Sequence, residues 1–256
     1  MSLVHKCLFP VKAVVGDLHH LILSDAPLNV CLAYLYGKLR WQERKTHHAA
    51  REAFRAVLKA GSFTNDWFTT NIPHWLCAFQ RYQLTTRPLR ALEVGSWEGA
   101  SSLFILQQLP KSTLLCVDTW AGADEHQGLA VLSSIEANFD QNLTPVRERL
   151  TKYKGRSDSF FHDLPAATQY DFIYIDGSHY ADDVLHDALH AFSHLTPGGI
   201  IIFDDFLWRQ YRRRNDNPAA ALCAFLRMKK GQYRIVAAYY QLILEKTAES
   251  KSAIHP

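Results

Sequence analysis

From Pro88 onward, short apolar runs alternate with helical stretches, and this alternation constrains the fold more than any other feature of the chain. The runs are apolar on both faces, which is typical of strands in a mostly parallel sheet that helices cover on each side. The pattern therefore predicts a doubly wound α/β fold with a seven-stranded sheet. We predict strands over Leu89–Val94, Thr113–Val117, a run that ends at Gly155, Phe172–Ile175, Gly199–Phe203, Tyr233–Ala238 and Gln241–Glu245.

Helical periodicity fills the intervals between these strands and most of the chain before them. In the earlier part, Gly61 is a helix stop signal and Pro73 is a helix start signal. We therefore divide the chain into a mainly helical extension at 1–84, the α/β domain at 85–248 and a flexible tail at 249–256. The predicted helices cover Leu28–Leu39, a stripe from Ala49 to Leu58, a stretch from Pro73, Gly99–Leu109, Leu129–Phe139, Tyr180–Leu195 and Pro218–Lys230.

The composition argues against several classes of protein. Apolar residues make up 48% and charged residues 21% of the chain, which is ordinary for a globular protein and argues against disorder. The net charge of +3 is too small to indicate nucleic-acid binding by itself. The five cysteines are scattered without a C-x-x-C pair, so neither a disulfide framework nor a cysteine zinc site is predicted. No run reaches the ~20 apolar residues of a membrane span, and we expect a cytoplasmic protein.

A turn with two glycines joins the first predicted strand to its helix. Its spacing, Glu93-x-Gly95-x-x-x-Gly99, differs from the G-x-G-x-x-G of dinucleotide-binding folds. A carboxylate with two glycines suits a ligand that carries an amino group better than it suits a pyrophosphate, and S-adenosylmethionine (SAM) is such a ligand. We therefore predict that Glu93, Gly95, Ser96, Trp97 and Gly99 bind SAM. A plain strand–helix turn is the alternative interpretation.

The second and third strands supply the other predicted cofactor contacts. The second strand ends at Asp118, where an acidic residue typically accepts hydrogen bonds from ribose hydroxyls. Thr119 and Trp120 follow it, and Trp120 either covers the adenosine or packs in the core. Ser157 follows the third strand, where the adenine end of SAM should lie. The alternative role of Asp118 is a solvated carboxylate at a strand end.

Three carboxylates and a histidine follow two further strands. Asp176 comes directly after the fourth strand, and Asp204 and Asp205 come after the fifth. Ligands of open α/β sheets bind at this edge, and neighbouring strands lie ~4.8 Å apart, so these carboxylates can converge. Converging carboxylates repel one another unless a cation joins them, and Mg²⁺ favours oxygen ligands. Histidine titrates near neutrality, so His179 suits a general base. Helix capping and loop contacts are the alternative roles.

Four motifs stand at these strand ends, namely Leu92–Ser102, Val117–Trp120, Ile173–His179 and Phe203–Asp205. Together they resemble the class I SAM-dependent methyltransferases, in particular the group of macrocin and mycinamicin sugar O-methyltransferases. The resemblance implies a Rossmann-like fold with SAM and Mg²⁺ as cofactors.

The resemblance also assigns roles to the acidic residues and the histidine. It implies that Asp176, Asp204 and Asp205 hold Mg²⁺, that Asp176 also contacts SAM, and that His179 is the catalytic base. Catechol-type O-methyltransferases share a similar metal arrangement. The acceptor implied is therefore the hydroxyl of a small molecule, either a sugar or a catechol-like vicinal diol.

Two departures from that group bear on the acceptor. The macrolide enzymes have Glu then Asp where this chain has Asp204 and Asp205, as in the noviose sugar methyltransferase. Residues 1–84 carry no motif of the family. Because that region often shapes the acceptor pocket, we assign it as an acceptor cap.

Two other functions remain open. One is a metal-independent SAM methyltransferase that acts on RNA or on a nitrogen acceptor, which the mixed basic and aromatic segment Trp208–Arg214 favours. The other is a SAM-binding module without catalysis. For the leading interpretation we expect a small-molecule acceptor as the partner, with no nucleic acid and no membrane, and homo-oligomerisation is left open. In that case the segment Arg209–Arg214 is predicted to bind the acceptor rather than SAM.

Three histidines are spaced four residues apart on the helix after His179, and this spacing permits a zinc site. They are His186, His190 and His194. The apolar stripe of the same helix lies on other positions, which predicts that all three occupy the outer, solvated face. We therefore interpret them as surface residues.

Overall fold

A computed structural model of the chain describes residues 3–39, 45–122 and 130–248. The strands are β1 (Arg90–Val94), β2 (Thr113–Asp118), β3 (Leu150–Lys154), β4 (Tyr170–Ile175), β5 (Leu195–Phe203), β6 (Tyr233–Ala238) and β7 (Leu242–Lys246). They form one seven-stranded sheet in the order β3-β2-β1-β4-β5-β7-β6. The first five strands of that order are parallel, and β7 runs antiparallel to both β5 and β6. The predicted doubly wound, mostly parallel sheet is confirmed.

Helices precede the sheet and connect its strands. They are α1 (Leu3–Leu23), α2 (Leu28–Leu39), α3 (His48–Ala60), α4 (Ile72–Arg81), α5 (Ala100–Gln108), α6 (Ile135–Asn142), α7 (Ser157–Asp163), α8 (Ala181–Ser193) and α9 (Pro218–Met228). None of the helices in the described ranges is both long enough and apolar enough to cross a membrane.

Two predicted elements differ from the structure. The stretch predicted as one helix over Leu129–Phe139 is a 3₁₀ turn at Ala130–Ser133 followed by α6, because Ser134 has a non-helical φ of −121°. Strand β5 begins earlier than predicted, since Leu195 already pairs with β4 before a bulge. Residue 129 and the predicted tail at 249–256 lie outside the described residues.

The helices cover both faces of the sheet. Helices α1, α2, α7, α8 and α9 pack on one face, and α3, α4, α5 and α6 pack on the other. The described part of the N-terminal extension is therefore mainly helical, as predicted, but it is shared between the two layers. Helix α2 lies against the edge strand β6. Helix α4 places Trp75 in the core of the second face.

The carboxyl ends of β1, β2, β4 and β5 meet at one edge of the sheet. Hydrogen bonding between neighbouring strands continues one step past their ends. The N–H of Asp176 donates to the carbonyl of Val94 at 2.7 Å, and the N–H of Asp204 donates to that of Ile175 at 2.9 Å. The loops that carry the acidic residues are therefore held in register with each other and with the turn after β1.

Candidate active site

The turn between β1 and α5 needs glycine at two positions. Gly95 has a φ of +82°, and a Cβ there would overlap the carbonyl group of Asp176. Gly99 has a φ of +84°, and a Cβ there would overlap the side chain of Leu143. The first glycine therefore brings the predicted cofactor turn into backbone contact with the loop that carries the predicted metal ligand.

The side chain of Glu93 lies beneath this turn and not in the cleft. It has no exposed surface, and burial raises the pKa of its carboxyl group. The carboxylate accepts hydrogen bonds from the hydroxyls of Ser96, Ser101 and Ser102 and from the thiol of Cys116. The binding of SAM by Glu93 stays a prediction. Strand alternation directs the carboxylate towards α5, where it ties the turn to that helix.

Asp118 holds the same turn from the neighbouring strand. Its Oδ2 accepts hydrogen bonds from the backbone N–H of Ser96 at 2.6 Å and of Trp97 at 2.9 Å. Its Oδ1 accepts one from the N–H of Trp120 at 2.7 Å. A carboxylate offers about four acceptor positions, so one is left for a ligand hydroxyl. The ribose contact of Asp118 stays a prediction.

The other residues predicted near SAM also have partners within the protein. Trp120 is buried, packs edge-on against Phe139 with ring centroids 5.0 Å apart, and donates from its indole N–H to a carbonyl of the turn at 3.0 Å. Of its two predicted roles, the structure supports packing. The Thr119 hydroxyl accepts a hydrogen bond from the backbone N–H of Ala121 at 3.2 Å. Ser157 begins α7, and its side chain hydrogen-bonds to the buried carboxylate of Asp187.

The hydroxyl of Tyr174 links two of the three predicted metal ligands. It lies 2.8 Å from Oδ2 of Asp176 and also contacts Oδ2 of Asp204. A phenol has one proton to donate, so a single hydrogen serves both carboxylates. Asp204 accepts two further hydrogen bonds, from the Gln241 amide to Oδ2 at 2.7 Å and from the N–H of Asp205 to Oδ1 at 2.7 Å. The carboxylates of Asp176 and Asp204 therefore meet at one hydroxyl, and metal binding by them stays a prediction.

Asp205 faces His179 across the cleft. It has a φ of +53°, in the left-handed region, and its Oδ2 lies 2.6 Å from Nε2 of His179. The imidazole stacks on Trp208, with ring centroids 4.8 Å apart and planes 17° apart. Burial, then the charge of Asp205 and a hydrogen bond to it, raise the pKa of the Tyr240 hydroxyl. A carboxylate and an aromatic plane therefore set the orientation of the imidazole.

Residues 92–206 match the methyltransferase domain family. Over these residues the chain carries a methyltransferase domain. The matched stretch contains the glycine turn, both acidic motifs and the pair formed by His179 and Asp205. No curated protein sequence matches the chain.

Solved O-methyltransferases share the fold of this methyltransferase at low sequence identity. TomG from Streptomyces achromogenes, solved with SAM, has a TM-score of 0.52 at 15% identity, covering 78% of this chain and 90% of its own. The O-methyltransferase from Bacillus cereus, solved with SAH, has a TM-score of 0.52 at 14% identity, covering 78% and 91%. MycE, solved with Mg, SAH and mycinamycin VI, has a TM-score of 0.54 at 17% identity, covering 79% and 56%. These likenesses show the class I methyltransferase fold.

Burial and mutual repulsion disfavour the ionised carboxylates in this site of the methyltransferase. Burial, and then the charges of Asp204 and Asp205, raise the pKa of Asp176 well above its usual value. Burial, and then the charge of Asp205, raise the pKa of Asp204 to about 7. Bringing these groups together is therefore costly for their ionised forms, and a divalent cation would relieve the repulsion.

The donors present fit a hard divalent ion, and the ligand set of Asp176, Asp204 and Asp205 stays a prediction. Ligand atoms of Asp176, His179 and Asp205 all lie within 4.8 Å of one another. Asp204 lies beside this group, because the hydroxyl of Tyr174 contacts both it and Asp176. Carboxylate oxygens dominate the site, which suits Mg²⁺.

Basic residues after β5 contact α1 of the methyltransferase. Nη1 of Arg209 donates a hydrogen bond to the carbonyl of Gly16 at 3.2 Å, and Nη2 lies 3.3 Å from Oδ1 of Asp17. Arg214 donates to the carbonyl of Leu23, the last residue of α1, at 3.4 Å. These contacts attach α1 to the domain, and binding of the acceptor by this segment stays a prediction.

One of the three spaced histidines is not on the surface. His194 is only 6% exposed, and its Nδ1 lies 2.8 Å from the carbonyl of Thr168. The outer-face prediction is wrong for this residue, because α8 ends at Ser193 and the chain turns inward there. His190 is exposed, as predicted.

Sequence reasoning missed the aromatic and amide side chains that surround the carboxylates. Tyr174 carried a usable signal, because a residue two positions before Asp176 on a strand shares its face. Trp208 was noted only as part of a basic segment. Tyr240 and Gln241 lie in the turn between β6 and β7, far from both acidic motifs in the sequence. No local pattern marks those two residues.

Proposed function

We propose that this methyltransferase is a divalent-metal-dependent O-methyltransferase that transfers the SAM methyl group to a hydroxyl of a small molecule, with His179 as the general base. The observation that carries the proposal is the 2.6 Å contact between His179 and Asp205, on loops adjacent to Asp176 and to the glycine turn. A sugar or a catechol-like vicinal diol suits a site of this kind, because two neighbouring hydroxyls can reach an ion and a base together.

His179 takes the proton of the acceptor hydroxyl in this proposal. Asp205 accepts a hydrogen bond from Nε2, which favours the tautomer with its proton there and leaves Nδ1 as the basic nitrogen. The charge of Asp205 stabilises the imidazolium that forms. Trp208 restricts rotation of the ring by stacking on it. A hydroxyl is a poor nucleophile at neutral pH, and a positioned base typically contributes about 10²–10⁴-fold.

Asp176, Asp204 and Asp205 hold the divalent ion in this proposal. A bound Mg²⁺ would lower the pKa of the acceptor hydroxyl and orient it. Two observations support the assignment. The carboxylates of Asp176 and Asp204 converge on one phenol proton, and MycE, which shares the fold, was solved with Mg.

The glycine turn holds SAM in this proposal. The segment 95–99 lies near the methionine part, Asp118 accepts from the ribose, and Thr119 and Ser157 lie towards the adenine. TomG and the Bacillus cereus enzyme, solved with SAM and SAH, have the same fold. Because Gly95 touches the loop of Asp176, the methyl donor would lie next to the base and the acceptor.

Turnover with a labelled methyl donor tests the proposal. The purified protein would be incubated with methyl-labelled SAM and a panel of sugars and catechols, with either Mg²⁺ or EDTA, and the products identified by mass spectrometry. We expect O-methylated product only with the ion present. Full turnover by the metal-free protein on RNA or on a nitrogen acceptor would support the metal-independent alternative. SAM binding without turnover of any acceptor would support a non-catalytic module.

A further inference from the structure

The side chain of Gln241, in the turn between β6 and β7, is fully buried beside the carboxylate site. Its Oε1 accepts hydrogen bonds from the indole N–H of Trp75 at 2.7 Å and from the hydroxyl of Tyr239 at 2.5 Å. Because an indole N–H can only donate, these contacts decide which end of the amide is the oxygen. The NH₂ group is therefore directed at Asp204, with Nε2 2.7 Å from Oδ2.

Helix α4 supports this arrangement with two consecutive residues. Trp75 is fully buried and packs edge-on against Tyr174, with ring centroids 4.8 Å apart and planes 80° apart. His74 stacks on Tyr239, with ring centroids 3.5 Å apart and planes 9° apart. The two side chains that donate to Oδ2 of Asp204 therefore both contact the same indole. The N-terminal extension thus reaches the carboxylate site through the core.

We propose that Gln241 is a positioning residue that holds Asp204 in the orientation needed to bind the divalent ion, and that Trp75 acts through Gln241. The proposal rests on the metal-dependent function proposed above. One oxygen of Asp204 is held by an amide and a phenol, and the other is held by the N–H of Asp205. A ligand held in this way has little rotational freedom left to lose when an ion binds, so its affinity is higher.

Ion binding in the absence of acceptor tests this role directly. Gln241→Met keeps the length of the side chain and removes the donor, and we expect it to weaken Mn²⁺ binding by about 10–100-fold in calorimetry. The affinity for SAM should not change. Trp75→Phe keeps an aromatic ring and loses the N–H, so it should weaken Mn²⁺ binding less. The double variant should bind Mn²⁺ no more weakly than Gln241→Met alone, because one residue acts through the other.

Tyr82→Phe is a matched control. It removes a hydrogen bond of 3.0 Å between a partly buried hydroxyl and Glu245 on β7, away from Asp204. Both the Mn²⁺ affinity and the SAM affinity should stay at the wild-type values. If Gln241→Met does not fold, Mn²⁺ binding by Trp75→Phe and by Tyr239→Phe is measured instead.

Three results would overturn the inference, and they are distinguishable. Wild-type Mn²⁺ affinity in folded Gln241→Met would overturn the positioning role and leave the metal site intact. Additive losses in the double variant would show that Trp75 acts independently of Gln241. A wild-type protein that binds no Mn²⁺ would overturn the metal part of the proposed function, and the positioning role with it.

Discussion

Nε2 of His179 lies 2.6 Å from Oδ2 of Asp205, although the two residues follow different strands. Their proximity follows from the register of the sheet, in which the last residue of β4, Ile175, pairs with the last residue of β5, Phe203. The pairing of the two strands therefore places the proposed base beside its carboxylate. Their relationship makes the catalytic role of the histidine directly testable.

We expect His179→Ala to lower kcat by about 10²–10⁴-fold while SAM binding is retained, because only the proton acceptor is lost. Steady-state kinetics and calorimetry with SAM measure the two effects. His190→Ala, which changes an exposed histidine on α8, is the control and should behave as wild type. Unchanged kcat in His179→Ala would show that another group removes the proton.

Metal removal should abolish turnover. We expect EDTA to inactivate the enzyme and Mg²⁺ to restore it, since the closely spaced, half-buried carboxylates need a cation to offset their repulsion. Asp204→Asn should raise the Mg²⁺ concentration needed for half-maximal activity, and excess Mg²⁺ should restore part of the rate. Asp182→Asn, an exposed residue of α8, should need no more Mg²⁺ than wild type. Full activity of the metal-free enzyme on its acceptor would exclude the metal mechanism.

Asp118→Ala should weaken SAM binding by about 1–3 kcal/mol, because charge-assisted hydrogen bonds to the turn are lost. The two N–H groups of Ser96 and Trp97 that this carboxylate holds would be released, so the turn would lose its shape. Calorimetry with SAM measures the change. Asp163→Asn, an exposed residue at the end of α7, is the control. If SAM affinity is the same in Asp118→Ala, neither the ribose role nor the support of the turn contributes to binding.

Arg209→Ala and Arg214→Ala should loosen α1, because each arginine donates to a backbone carbonyl of that helix. We expect faster proteolysis within α1 and a slightly lower Tm, with the acceptor KM unchanged. Limited proteolysis followed by mass spectrometry locates the cut. Arg212→Ala is the control for removal of a positive charge from the same segment. A raised acceptor KM with unchanged proteolysis would instead support acceptor binding by these arginines.

Glu93 should make the protein less stable as the pH rises. Its folded-state pKa is raised from 4.5 by burial, so the protonated form is favoured in the folded protein. The stabilisation is present below the unfolded-state pKa and is lost as pH rises through the raised folded-state value. Glu93→Gln removes this titration, so its Tm relative to wild type should increase from acidic to neutral pH. A constant Tm difference, as expected for the exposed control Glu148→Gln, would contradict the prediction.

Much of the sheet and of the candidate site could be predicted because both depend on short, local patterns of residues in the sequence. The strands before Asp118, Asp176 and Asp204 are short apolar runs, and polar residues directly after parallel strands must meet at one edge. The burial of Glu93 could not be read from its motif, because the same glycine spacing fits either direction of the side chain. The contact between Trp75 and Gln241 joins residues 166 positions apart, so only the packed core reveals it.

The close approach of Gly95 to the carbonyl of Asp176 has a thermodynamic consequence. The turn and the acidic loop are in close backbone contact at this point, so a shift of one affects the other. In the proposed function SAM occupies the turn and an ion occupies the carboxylates, and the two binding equilibria are then linked. If bound SAM changes the affinity for the ion by some factor, the bound ion must change the affinity for SAM by the same factor, because linkage is reciprocal. A side chain at position 95 would disturb both equilibria at once.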